Sequence, residues 1–172
     1  MKPEEVEKVL NIVKEFTEIA NRIMGENYSA YHIISKEELY RFISNPPSFF
    51  GLDAFEGFTK IANKYYNRPP FPHGEYATIE EEIKALNTYD IGPLNRLIWL
   101  ELEREEWMGE WIPAANIIFA FYDDNLYAVI TADREIGLYL EYVGYNFDEA
   151  FRQLKRIIDD IIESLQRLEK RK

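Results

Sequence analysis

A chain of 172 residues, 47% apolar and 30% charged, is long enough to bury a core of its own. It holds no cysteine, which excludes disulfides, thiolate metal ligands and thiol nucleophiles. The net charge of −11 is concentrated: residues 75–146 carry 15 acids against 4 bases, while the flanking segments nearly cancel. Such a segment repels phosphate, which argues against direct grip on a nucleic-acid backbone and favours a basic protein partner or cations. The plainer reading is a solvated face kept soluble by like charge.

The first predicted element is a helix over "KPEEVEKVLNIVKEFTEIANRIMG". Val6, Val9, Leu10, Val13, Phe16, Ala20, Ile23 and Met24 recur at three- and four-residue steps, Pro3 suits the start and Gly25 the end. The same N-terminal residues contain no apolar leader core, and no run approaches the length of a membrane span. The expected location is therefore cytoplasmic, with no membrane association. High Glu and only two glutamines, Gln153 and Gln166, point to a heat-adapted source, and abundant Asn points the other way.

"SAYHIIS" reads as a short extended piece. Ser35 and Glu38 have the spacing of a capping box opening "KEELYRFIS", and Asn45-Pro46-Pro47 is expected to end that helix. Asp53 and Glu56 repeat the spacing before Phe55, Phe58, Ala62 and Tyr65, so residues 1–67 read as mainly helical. Residues 68–78 form a proline-rich connector. Pro69, Pro70 and Pro72 hold the backbone near polyproline II and withhold donors from any sheet. Phe71 either anchors this connector in the core or, with His73, is offered to a partner as a recognition loop. Thr78 and Glu81 then start another short helix.

Residues 94–108, "LNRLIWLELEREEWM", admit two readings. Pro93 and Gly109 bracket them as a helix start and stop, whereas Ile98, Leu100 and Leu102 alternate with Trp99, Glu101 and Glu103 as in a strand. The bracketing residues favour a helix. Three runs of β-branched and aromatic residues follow, "NIIFAFY", "NLYAVIT" and "GLYLEYV", separated by turn-like gaps, which predicts an antiparallel meander within the acidic segment 79–146. Residues 147–172 form a long helix whose stripe from Phe147 through Phe151, Ile158 and Ile162 to Leu168 is wide enough to cover a sheet. The expected fold is a single α+β domain. It has N-terminal helices, an antiparallel meander of three or more strands, and the long C-terminal helix packed on the sheet, with helices on one face.

The chain offers little catalytic chemistry. It has no G-x-S-x-G, no Walker loop and no G-x-G-x-x-G. His32 reads as a packed strand histidine and His73 as an exposed one. The carboxylates Glu101, Glu103, Glu105, Glu106 and Glu110 are the candidate acidic interaction surface. On a helix, Glu101 and Glu105 would share a face. The alternative is a Mg²⁺ or Mn²⁺ site built from Glu101, Glu105, Asp123 and Asp124 and serving a metal-dependent hydrolase; otherwise no cofactor is expected. A third reading is a small-molecule binder with a tyrosine-lined pocket, given 12 tyrosines.

"EWIPAANIIFAFYDDNLYAVIT", then a strand and "FDEAF", is similar in order to the C-terminal half of SUKH-type immunity and scaffold proteins. The likeness covers about a third of the chain and rests on common residues; the upstream N-G-G stretch of that family is missing here. What the resemblance implies is a binding protein. The expected function is thus a non-enzymatic, immunity- or inhibitor-like domain whose acidic surface meets a basic partner. A homodimer is also open to it through the C-terminal "EKRK" on the acids of a second copy.

Overall fold

A computed structural model describes residues 1–44, 49–133, 135 and 137–171. It shows an α+β fold with the elements α1 (Pro3–Met24), β1 (Ala30–Ser35), α2 (Lys36–Ser44), α3 (Phe49–Tyr66), α4 (Ile79–Thr88), β2 (Leu94–Trp107), β3 (Glu110–Tyr122), β4 (Tyr127–Asp133), β5 (Gly137–Gly144) and α5 (Phe147–Lys170). The five strands form one antiparallel sheet in sequence order, β1-β2-β3-β4-β5.

Several local signals act as expected. Ser35 Oγ accepts from the Glu38 amide while Glu38 accepts from the Ser35 amide, closing the capping box of α2. Thr78 caps α4 through the Glu81 amide, and Asn146 caps α5 through the Glu149 amide. Helix α3 already begins at Phe49, so Asp53 lies inside it rather than at its cap. The expected stop at residues 45–47 falls outside the described residues.

Two expectations are corrected. Residues 94–107 are a strand, not a helix. Leu97 and Trp99 face one side of the sheet and Ile98, Leu100 and Leu102 the other; with apolar residues needed on both sides, the alternation is hidden in a continuous run. Gly109 closes no helix. With Met108 it makes the two-residue turn into β3, both residues in left-handed backbone at φ 51° and 83°.

The helices also cover both faces, not one. On the first, α1 and α5 pack over Ile98, Leu100, Ile117, Phe119 and Val129, contributing Val9, Val13, Phe16, Leu154 and Ile158. On the second, α2, α3 and α4 pack over Leu97, Ile118, Ala120, Tyr122, Ala128 and Ile130. Alanines on that sheet face let α3 approach closely. At Gly57 an added Cβ would already meet Leu138 at 3.2 Å and Ile130 at 3.4 Å.

Phe71 belongs to this second core. It is 8% exposed, with its ring against those of Tyr76 and Tyr89 at 5.8 and 5.5 Å, and the Tyr89 hydroxyl donates to the Pro69 carbonyl. Truncation of Phe71 to Ala is expected to lower stability by roughly 3 kcal/mol, and of the fully buried Ile158 by roughly 2–5 kcal/mol. Leu168→Ala, at 43% exposed, should change it by under about 1 kcal/mol; urea denaturation of the three variants checks the order.

Candidate functional site

Strands β2 and β3 are longer than their neighbours. Among the described residues β1 pairs with β2 only as far as Glu101, and β4 pairs with β3 only as far as Ala115. Beyond those points β2 and β3 continue, paired to each other, to the turn at Met108-Gly109. The chain thereby projects a two-stranded arm, Glu103–Trp107 and Glu110–Ala114, past the helix-covered part of the sheet.

Four of the five predicted acids sit on this arm. Glu103 is half-buried, and Glu105, Glu106 and Glu110 are exposed. Glu101 is a correction: it is 5% exposed, so it belongs to no surface. Its Oε2 lies 2.8 Å from His32 Nε2 and 3.6 Å from Arg104 Nε, which compensates a carboxylate taken out of water. The helical pairing of Glu101 with Glu105 is likewise replaced by strand geometry, with register shifts at Glu101/Glu103 and Glu103/Arg104. Opposite Glu101, the buried Asn116 accepts a hydrogen bond from the Trp99 indole at 2.8 Å. His32 packs against Trp99 with ring centres 5.3 Å apart. A compact polar joint of Glu101, His32, Arg104 and Asn116 therefore marks where the arm leaves the body. Beside it the Tyr28 carbonyl accepts from the Arg104 amide, while burial and then the Glu103 charge push the Tyr28 hydroxyl above its ordinary value.

Sequence reasoning overlooked the apolar part of the arm. Trp107 is 63% and Met108 90% exposed, and Trp111 and Ile112 are exposed beside them. Residues opposite one another on paired strands share a face. Trp107 and Glu110, with Glu105 and Ile112, therefore make one face; Glu106 and Trp111, with Arg104 and Pro113, make the other. Each face presents an indole with a carboxylate opposite it. The Arg104 guanidinium lies over the Trp111 ring, 5.8 Å from its centre. The overlooked signal was "WMGE" between two alternating runs, a hairpin turn of the left-handed kind.

The alternative metal set is not brought together. Asp123 and Asp124 follow Tyr122 at the far end of β3, about 20 Å along the strand from the Asn116 that faces Glu101. There the Asp124 carboxylate accepts from the Tyr66 hydroxyl and Asp123 from the Asn95 amide. Among the described residues no group of three or more His, Cys, Asp or Glu side chains is placed to hold a metal ion. His73, the other loop candidate, is exposed as expected, beside α3 and α4, with its Nε2 3.4 Å from Thr59 Oγ1 and its Nδ1 3.9 Å from a Glu82 oxygen.

The tyrosines are mostly spent on the core. Tyr40 and Tyr65 donate to the carbonyls of Tyr89 and Val143, and burial pushes the Tyr40 hydroxyl up to about 12. An open groove beside the arm, lined by Leu102, Asn116, Thr131, Glu141 and Ile161, contains Tyr139 as its tyrosine. No family model matches this chain, and neither a curated protein nor a solved structure does.

Two outcomes are expected. Because the four acids of the metal alternative lie apart, millimolar Mg²⁺ or Mn²⁺ should leave the melting temperature unchanged; a saturable rise at lower concentration would overturn that expectation. Tyr122 is fully buried and its hydroxyl has no hydrogen-bond partner among the described residues. Tyr122→Phe should therefore be neutral or stabilising by about 1 kcal/mol, read from denaturant midpoints.

Proposed function

We propose that this protein is a non-enzymatic interaction domain that engages a basic protein segment through the β2–β3 arm. The observation that carries the reading is Met108. It is a large apolar side chain, 90% exposed, held at a left-handed turn position where Asn or Gly is favoured. Local folding energetics disfavour Met there, so its presence is better explained by what it touches. Trp107, Trp111 and Ile112 extend the same exposed apolar surface, and Trp and Met are enriched at the centres of protein interfaces.

Charge selects the partner. Glu103, Glu105, Glu106 and Glu110 surround the apolar residues, which attracts Lys- and Arg-bearing segments and repels phosphate. A second copy would bring the same carboxylates, so an arm-to-arm homodimer is opposed by like charge. The route left to a homodimer is the α5 terminus, where Lys170 and Arg171 are exposed. An inhibitor- or immunity-like role in the cytoplasm is the biological form of this reading. Among the described residues no helix is long and apolar enough to cross a membrane.

The test is titration with a short synthetic peptide of alternating Lys and Arg, followed by calorimetry at low and high salt. Saturable binding is expected that weakens with salt and falls about tenfold or more in Met108→Asn and in the Glu106→Lys, Glu110→Lys double variant. Met108→Asn should at the same time raise the melting temperature, because Asn-Gly suits the turn. Equal binding by wild type and all variants would overturn the proposal.

A further inference from the structure

We propose that the arm reads arginine side chains on its two faces and does not receive its partner as an added strand. The proposal rests on the interaction reading above and names what is recognised.

At the level of Arg104 and Pro113 the edges of the arm are closed by its own chain. The turn at Met108-Gly109 makes Trp107 and Glu110 the hydrogen-bonded pair next to it, so the pairs outward alternate, and Arg104 with Pro113 is a pair that exchanges no backbone hydrogen bond. An independent contact agrees. The Arg104 amide points away from β3 and donates to the Tyr28 carbonyl at 2.8 Å. On β3 the corresponding outward amide position is proline, which has no N–H to offer. Pro113 thus sits where the pairing with β2 loses nothing and where an incoming strand would need a donor. Both outer edges are therefore occupied or blunted at the same level of the arm.

The faces, by contrast, are built for guanidinium. Trp111 already carries one, since Arg104 lies over its ring. That ring stands opposite Glu106, so stacking and a carboxylate are available together. The second face repeats the combination with Trp107 opposite Glu110, and among the described residues no cation lies over the Trp107 ring, which is 63% exposed. A planar guanidinium can stack on the indole while its N–H fork meets the carboxylate; a lysine ammonium can do only the charge part. Arginine should therefore be preferred over lysine at equal charge.

The experiment compares three synthetic peptides of one length on the full chain: Arg-rich, its Lys counterpart, and the Arg peptide N-methylated on alternate backbone nitrogens. Binding is read by calorimetry and by Trp fluorescence. The Arg peptide is expected to bind about tenfold tighter than the Lys peptide, and its N-methylated form within about threefold of the parent. Trp107→Leu should reduce the Arg-to-Lys ratio toward one while leaving the melting temperature unchanged, since that side chain is exposed. Equal affinity for Arg and Lys peptides, or loss of binding on N-methylation, would overturn face recognition while the arm remained the binding site. Binding that ignores Trp107→Leu and the Glu106→Lys, Glu110→Lys variant alike would overturn the arm itself, and absence of any peptide binding would overturn both.

Discussion

Residues Ile117 to Tyr122 of β3 have no face to give to water. Ile117, Phe119 and Phe121 point into the layer closed by α1 and α5, and Ile118, Ala120 and Tyr122 into the layer closed by α2, α3 and α4. An antiparallel sheet commonly leaves one side solvated, with polar residues there. This one cannot, because β3 is apolar and buried at every position from Ile117 to Tyr122. The need to cover both sides fixes the rest: one helix pair before and after the sheet in sequence, three shorter helices on the opposite side, and a stiff connector between α3 and α4. Phe71 is the point at which that connector is pinned, and the three prolines around it limit the entropy lost when the loop is held.

The same two strands explain why the candidate site lies where it does. A sheet covered on both faces has no exposed surface over its centre, so a recognition surface must come from loops or from strands that outrun the cover. β2 and β3 outrun it. Where they do so, the burial pattern changes within a few residues from fully buried to exposed, and the polar joint of buried Glu101 and Asn116 with half-buried His32 and Arg104 sits at the change. A buried carboxylate contributes little net stability when paired, but removing its partner leaves it uncompensated. The joint therefore holds the root of the arm in one geometry more than it adds to overall stability.

Much of the fold was legible in the sequence where local chemistry and periodicity agreed. Ser35 with Glu38, Thr78 with Glu81, and the apolar stripes of α1 and α5 each state their element in a few residues. β2 was not legible for a physical reason. Burial on both sides turns Leu97–Leu102 into a run whose period is ambiguous, and Pro93 and Gly109 serve a loop and a hairpin turn with the same residue types that bracket helices. The acids of the arm were visible as a cluster, but their placement around Trp107 and Met108 was not, because those two residues are brought among them only by the turn at Met108-Gly109. The contact of His32 with Glu101 spans 69 positions, a distance over which no spacing rule operates.

Glycine, proline and methionine within seven residues of the arm show how stability and recognition are divided there. Gly109 and the paired strands satisfy the backbone, and Pro113 gives up a donor that the arm does not need internally, at a position where that donor would invite another chain. Met108 goes the other way, placing bulk in a backbone conformation that disfavours it and exposing nearly all of it. A hairpin selected only to close a sheet would have Asn or Gly at that point and no tryptophan beside it. The departures from local preference are thus confined to the tip and faces of the arm, while its edges and its root follow the rules for a strand pair that must stay single. That separation is what the proposed side-chain recognition would require of a strand pair whose edges are blunted at Arg104 and Pro113.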